Sequence, residues 1–350
     1  MKLINQSVEF HGQTPTNPKE IVKQLELVGR ICYKSEDKIT NESAPKFCQF
    51  GWDKGHFSIF DHSNIVINVP EQDATRFFKF LMPLHRRAAY HNFEEDSATN
   101  TWYINGNIRA WHETLTICFE HIGNHEVFNN IAKLLNQYLS QFFKFEVSLD
   151  NESQKVFNFK KYSVVTNMES IPLNLRQYTF KWITSRDVTH ELVRHRPCAF
   201  LQESQRYVTY ESGLTCILPT HFEGLIEGSY NKDSNDCNLL YFNNQATLWP
   251  EKKEETIWLD SLIEDEKNYK TIVKSSHNPE GWIPQYAREI LPNAAKTEII
   301  ITADLPEWKH IFKMRASGAA LPKIRRQAFK TATILNNEIP NYFDMSKYVE

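Results

Sequence analysis

The sequence predicts an α+β protein rather than a doubly wound α/β one. Helix-like and strand-like segments arrive in clusters instead of strict β-α-β order. Glycine is scarce, 11 in 350 residues, and neither G-x-G-x-x-G nor G-x-x-x-x-G-K-[ST] occurs. No Gly-rich turn is therefore available to wrap a phosphate in the Rossmann manner. Hydrophobic residues at 41% and charged residues at 24% describe an ordinary globular chain, long enough for one large domain or two modest ones.

Taken in order, the first helix is KEIVKQLELVGRICY, opened by Asn17-Pro18. Asn17 suits the cap, Pro18 the first helical position, and Glu20 the positive end of the helix. Ile21, Leu25, Val28 and Cys32 share one face. HSNIVINV, residues 62–69, alternates and is β-branched, so it reads as a strand. Residues 70–145 read as mostly helical, in three runs: FFKFLMPLHRR, NIRAWHETLTICFEHI and EVFNNIAKLLNQYLSQFFKF. In the last, Val127, Ile131, Leu134, Leu135 and Tyr138 form a stripe that reads as core packing. The polar LDNESQKVFNFKK reads as a surface connection.

TFKWITSR is then a strand, and DVTHELVRHR a helix that Pro197 stops. Residues 230–255 are rich in Asn, Asp and Lys and read as a long surface loop or a lid. WLDSLIEDEKNYKTIVKSS is a helix, and PQYAREILP a short one ended by Pro292. KTEIIITADL is a strand. PEWKHIFKMRASG is a helix with Pro306 at its start and Gly318 near its end, and LPKIRRQAFKTATILNNEI is the last helix. No internal repeat is visible.

The formal net charge is −3, so any anion site must be local, and nucleic acid is not an expected partner. The cysteines are Cys32, Cys48, Cys118, Cys198, Cys216 and Cys237, with no C-x-x-C pair. That pattern supports neither a zinc ribbon nor a thioredoxin-type motif and fits a reducing compartment. MKLINQSVEFHGQTP lacks an apolar signal segment, and no run of about 18 apolar residues occurs. The expectation is a cytoplasmic protein without membrane contact.

The densest chemistry lies in ELVRHRPCAFLQESQRY, residues 191–207. HELVRH resembles H-E-x-x-H, but His190 and His195 are one residue too far apart. On a helix they stand about 140° apart around the axis, so no metal site is expected. Arg194, Arg196 and Arg206 flank His195 and Ser204 beside an apolar segment. Cations at a helix C-terminus have a dipole rationale of their own. Burying several is costly, so either local carboxylates pair them or a ligand brings an anion. Guanidinium forks suit phosphate oxygens and pyrimidine carbonyls.

Arg194-His195-Arg196, seven residues, then Ser204 resembles the RHR-x7-S signature of the flavin-dependent thymidylate synthases, the ThyX family. GRICY, GHFSIFDHSNIVI (with Asp61 where the family has Glu), YINGNIRAW, AREILP and EWKHIFKMR resemble further family segments in order. The poorly matched parts are residues 70–170 and 221–255. The resemblance implies a ThyX-like fold, an antiparallel-rich sheet flanked by helices. Residues 1–350 would form one catalytic domain with a largely helical insertion at 70–170.

The resemblance also implies conversion of dUMP to dTMP by a methyltransferase. Methylenetetrahydrofolate would supply the carbon, FAD in reduced form the hydride, and NADPH the electrons that regenerate it. Substrate contacts carried over are Glu191, Arg194, Gln202, Glu203, Ser204, Gln205, Arg206, Arg288 and Arg315. Flavin contacts are Ser58, Arg194, His195, Arg196, Gln202, Asp304 and His310. Arg315, Ser204 and His56 take catalytic places, with Arg315 against the pyrimidine. The family assembles as homotetramers with shared sites. Three departures stand out. Asp304-Leu305-Pro306 replaces a common Asn-x-Arg, Ala319 to Lys323 differs after the last Arg, and Glu191 replaces a glutamine of some members.

Two other readings compete. A cysteine-dependent thymidylate synthase would use Cys198 as a thiolate activated by Arg194 and Arg196. A non-catalytic nucleotide- or RNA-binding protein would keep the fold without turnover.

Overall fold

Asn17 caps the first helix as its chemistry requires: its side chain accepts from the backbone N–H of Lys19, and Pro18 follows at the first helical position. The computed structural model describes residues 1–81, 91–123, 125–147, 162–233, 236 and 238–350. LDNESQKVFNFKK, the end of FFKFLMPLHRR and Cys237 lie outside the described residues.

In chain order the elements begin β1 (Lys2–Ile4), β2 (Ser7–Gln13), α1 (Pro18–Tyr33), α2 (Ser43–Asp53), β3 (Ile65–Pro70) and α3 (Glu71–Leu81). Then come β4 (His91–Asp96), β5 (Thr101–Gly106), α4 (Ile108–His121), α5 (Glu126–Tyr138) and β6 (Ser163–Val164). The second half holds β7 (Gln177–Ser185), α6 (Arg186–Leu192), β8 (Ala199–Gln202), β9 (Thr215–Ile217), β10 (Gly228–Lys232), β11 (Leu240–Phe242) and β12 (Gln245–Thr247). It closes with α7 (Lys253–Ile272), α8 (Pro284–Ala287), β13 (Lys296–Asp304), α9 (Leu305–Arg315) and α10 (Pro322–Glu338). The chain is α+β, with antiparallel sheets flanked by helices.

The strands form three sheets, ordered β2-β7-β13-β8, β4-β5-β3-β6 and β12-β11-β10-β1-β9. The first two are antiparallel throughout. β7 and β13 pair along their whole lengths, from Gln177 opposite Asp304 to Ser185 opposite Lys296. β13 is a β-branched run and β7 an aromatic-rich one, and most residues of both are buried because both faces of this sheet are covered. Trp308, Phe312, Ile324 and Ala328 of α9 and α10 pack on one face against Phe180, Trp182, Ile299 and Ile301. Ile300 and Leu201 turn to the other face, into the core built by Leu25 and Val28 of α1 with β3, α4 and α5. A third core joins Leu259, Leu262 and Ile263 of α7 to Leu3, Cys216 and Tyr230.

The fold corrects several expectations. Residues 70–145 also hold β4 and β5, which pair along a tight turn and extend the β3 sheet. Within residues 230–255, read from the sequence as a loop, β10, β11 and β12 form antiparallel pairs, with β11 and β12 joined by the two-residue turn Asn243-Asn244, both at positive φ. The helix DVTHELVRHR ends at Leu192, before the guanidinium run, which therefore occupies a turn. The strand beginning at His62 starts at Ile65 instead, after a 3-10 turn over Phe57–His62. Two of the sheets share a plan. Read from the other edge, the second sheet runs β6-β3-β5-β4, the same antiparallel plan as β2-β7-β13-β8. In both, the second strand leads straight into a helix (α3, α6) and the third into another (α4, α9).

Candidate functional site

β8 carries the signature run out of the turn at Arg194–Pro197 and along the edge of β13, where Leu201 pairs with Ile300 and Gln202 with Ile299. Past that edge the chain turns, with the Ser204 N–H donating to the Cys32 carbonyl at 3.0 Å. This places Ser204, Arg206 and Tyr207 against the end of α1 and the 3-10 turn. Together they enclose a cavity of about 340 Å3 lined by Cys32, Tyr33, Gly55, His56, Phe57, Ser58, Ile59, Arg109, Leu201, Ser204, Arg206 and Tyr207. Tyr33 OH lies 2.6 Å from His56 Nδ1. Tyr207 meets the Tyr33 ring edge-on at 5.8 Å, and the Arg206 guanidinium lies over the Tyr207 ring. Burial, then Cys32 and Tyr207, pushes the Tyr33 hydroxyl up to about 12, so it stays protonated at neutral pH.

A second cavity, about 320 Å3, lies on the other side of the 3-10 turn. Its walls are Asp61, Asn92, Asn107, Gln177, Pro197, Cys198, Ala199, Thr302, Asp304, Pro306 and Glu307. Asp304 caps α9, accepting from the Glu307 N–H at 2.9 Å, and Asn92 Nδ2 donates to its other oxygen at 2.8 Å. Burial raises Asp61 and Asp304 to about 6 each; Arg109 opposes the shift at Asp61, and Asn92 opposes it at Asp304. Gln177 Oε1 and Glu307 Oε1 are buried without a hydrogen-bond partner. This cavity is rich in acceptors, whereas among the described residues the first is lined by two guanidiniums and no carboxylate.

Arg315, the last residue of α9, reaches the turn. Its Nη1 donates to Glu191 Oε2 at 2.7 Å, its Nη2 to the Glu191 carbonyl at 3.0 Å, and its Nε to His195 Nε2 at 3.2 Å. Because Nε2 accepts, His195 keeps its proton on Nδ1, which faces Glu307 Oε1 at 3.5 Å. His195, Glu307 and His310 lie close enough to share an ion. A metal taking Nε2 would have to displace the Arg315 guanidinium, and one taking Nδ1 would have to displace its proton. The donor set is thus committed to an organic hydrogen-bond network.

The sequence alone sets these arginines in an apolar environment, and the fold does not. Arg194, Arg196 and Arg206 are exposed, because the helix stops early and the turn projects outward, and Arg315 is paired by Glu191. Arg288 is exposed as well, and it stands near Arg186, which burial first and Arg288 next hold below its usual range. Glu203 is only 3% exposed and lines neither cavity. It accepts from Lys296 Nζ at 2.8 Å and from Tyr210 OH at 3.1 Å. Gln202 donates to Thr189 Oγ1 at 2.9 Å and to Thr297 Oγ1 at 3.2 Å, while Gln205 is buried. The structure thus brings together His56, Ser58, Ser204 and Arg206 in one place, and Glu191, His195, His310 and Arg315 in another, with Asp304 at the opposite end of α9 from Arg315.

Tyr33, Arg109 and Tyr207 line the first cavity although sequence reasoning assigned them no role. Each sits in a segment already notable for its composition: GRICY, YINGNIRAW and ESQRY.

Cys198 has no thiolate character. Burial first, then Glu307 and Asp304, pushes its thiol well above the ordinary value. Its charged neighbours are acids rather than the expected Arg194 and Arg196, which point into solvent. That removes the physical basis for a Cys198 nucleophile. Among the described residues, no helix is long and apolar enough to cross a membrane.

Two curated relatives, each named flavin-dependent thymidylate synthase, come from Corynebacterium diphtheriae and Mycobacterium sp. (strain KMS). The first is 34% identical over 161 residues, 45% of this chain and 56% of the relative. The second is 34% identical over 146 residues, 41% of this chain and 52% of the relative. The chain thus spans about half the length of the curated relatives it matches. A crystal structure of a UMP/dUMP methylase from Streptomyces cacaoi, bound with 5-Br UMP, is similar at a TM-score of 0.35 and 15% identity, covering 48% of this chain and 72% of that one. Residues 121–341, which include the guanidinium turn, β13 and α9, match the family described as thymidylate synthase complementing protein, and the chain belongs to that family.

Proposed function

We propose that this protein is a flavin-dependent thymidylate synthase: it methylates dUMP reductively to dTMP, with methylenetetrahydrofolate as carbon donor, reduced FAD as hydride source and NADPH to regenerate it. The observation that carries this reading is the cavity in which Ser204 and Arg206 of the signature face His56 and Ser58. It combines aromatic walls with cations and hydroxyls, which suits a flat ring bearing an anionic tail.

The residues also fit a bound flavin. Ser58 and His56 offer polar contacts beside Tyr33 and Phe57, and next door the buried Gln177 Oε1 has no hydrogen-bond partner among the described residues. When bound, a reduced flavin supplies the hydride. The chain's own residues bind and orient. Arg206 and Ser204 hold the nucleotide through charge-assisted hydrogen bonds. Arg315, fixed by Glu191 outside this cavity, serves the pyrimidine of another subunit's nucleotide in the shared site, where it meets the negative charge that develops on the ring. Exposed Arg194, Arg196 and Arg288 support a shared site in a homotetramer: among the described residues neither Arg194 nor Arg196 has a carboxylate partner.

The test is turnover. Purified protein with FAD, NADPH, methylenetetrahydrofolate and dUMP is expected to form dTMP, and the protein to show an oxidised flavin spectrum. Flavin-free protein that binds dUMP yet makes no dTMP would favour a non-catalytic nucleotide-binding protein instead.

A further inference from the structure

The two sheets of like order match in detail as well as in plan. Asn107 caps α4 by accepting from the Ala110 N–H at 2.7 Å, and Asp304 caps α9 by accepting from the Glu307 N–H at 2.9 Å. Trp111 and Trp308 occupy the same place in these helices, and both are fully buried. Trp111 Nε1 donates to the Ile65 carbonyl at 3.1 Å; Trp308 Nε1 donates to the Tyr178 carbonyl at 3.2 Å. Ile65 pairs with Gly106 and Tyr178 with Ala303, in each case the residue just before the cap. On the edge strands Phe93 pairs with Ile104, and Phe200 with Ile301. From those phenylalanines the chain reads FEEDS, to Ser97, and FLQES, to Ser204. One local sequence likeness is common. Agreement of order, register, cap and indole bond together is the mark of one unit built twice.

The equivalence gives Arg109 a place. It holds the helical position in α4 that Pro306 holds in α9. Arg109 lines the first cavity beside Ser58, Ser204 and Arg206, while Asn107 and Pro306 line the second. Arg109 precedes the family match, which begins at residue 121. Its Nε donates to Glu113 at 2.9 Å, and its Nη1 lies 3.5 Å from Asp61 Oδ2, with the side chain 37% exposed. Such a partly exposed pair is screened by water and holds its partner weakly. Among the described residues no carboxylate lines this cavity; Asp61 and Glu113 touch Arg109 from outside it, and Arg109 and Arg206 bring their guanidiniums to its wall.

We infer that residues 65–138 are an internal second copy of the catalytic unit, and that this copy serves the candidate site of the first by supplying Arg109 as a binding residue for a substrate oxyanion. The inference rests on the reading of the site proposed above. The oxyanion is the phosphate of the nucleotide or a carboxylate of the folate tail. Both present the planar or forked oxygens that a guanidinium binds.

Calorimetric titration of full-length wild type, Arg109→Ala and Arg109→Lys tests it. Four probes serve: dUMP, deoxyuridine, 5-formyltetrahydrofolate and a pterin lacking the glutamate tail. Arg109→Ala is expected to weaken one anionic probe about ten- to hundredfold while leaving its uncharged counterpart unchanged. Arg109→Lys should recover part of the loss, and loss confined to dUMP or to the folate identifies the oxyanion. Circular dichroism melting checks that each variant is folded; should Arg109→Ala not fold, Arg109→Gln takes its place in the same titrations. Wild type that binds while the folded variant binds equally well overturns the role of Arg109 and leaves the proposed function standing. Wild type that binds neither dUMP nor the folate overturns the proposed function itself, and this inference with it.

Discussion

Arg315 grips Glu191 twice, through the carboxylate at 2.7 Å and the main-chain carbonyl at 3.0 Å, and so ties the end of α9 to the end of α6. The guanidinium that the proposed chemistry needs is thereby fixed in direction before any substrate arrives. Such preorganisation is what makes a charge effective in stabilising a transition state.

Arg315→Ala should therefore stay folded and lose dTMP formation by about 10²–10³-fold. The lost charge-assisted bonds cost roughly 1.5–3 kcal/mol of stability at most. Chromatographic assay of dTMP beside a thermal melt checks both. Full turnover in the variant would remove Arg315 from the mechanism.

Lys296 is the counter-ion of Glu203 and Glu298, at 2.8 and 2.6 Å, and both acids are buried. Lys296→Met would leave Glu203 with a buried charge beside the Tyr210 hydroxyl and the Arg186 guanidinium, without a direct salt-bridge partner among the described residues. We expect a loss of about 3–5 kcal/mol in urea unfolding. A loss below 1 kcal/mol would show that the network is solvated.

Asp304 gives a pH signature. Burial lifts its folded pKa to about 6, above the usual unfolded value of about 3.9. The folded chain then binds the extra proton between those values, so this group's contribution to stability falls as pH rises from about 4 to 6. Asp304→Asn keeps a capping oxygen for the Glu307 N–H and cannot ionise, and the Asn92 amide can turn to present its oxygen. The variant should be more stable than wild type by about 1–3 kcal/mol at pH 7.5, with no gain at pH 4. Denaturant curves at the two pH values decide it; an equal effect at both would contradict the raised pKa.

Cys198→Ala should keep dTMP formation within about twofold, because a half-buried thiol whose pKa Glu307 and Asp304 push further up is a poor nucleophile. Loss of a covalent adduct together with all activity in that variant would restore the cysteine reading.

Local signals in the sequence were enough to mark Asn17 as a cap, β7 and β13 as strands, and the spacing from Arg194 to Ser204 as a family signature. Each depends on neighbours in the chain, through side-chain reach, alternation or fixed spacing. Register and burial do not. The sequence could not show that Glu203 turns inward to Lys296 or that Arg194 and Arg196 turn outward. Those outcomes depend on contacts between residues far apart in sequence. The repeat was hidden for the same reason. Four residues separate β4 from β5, whereas residues 203–295 separate β8 from β13, so the like strands fall out of step along the chain and meet their equivalents only as hydrogen-bonded partners in the folded sheets.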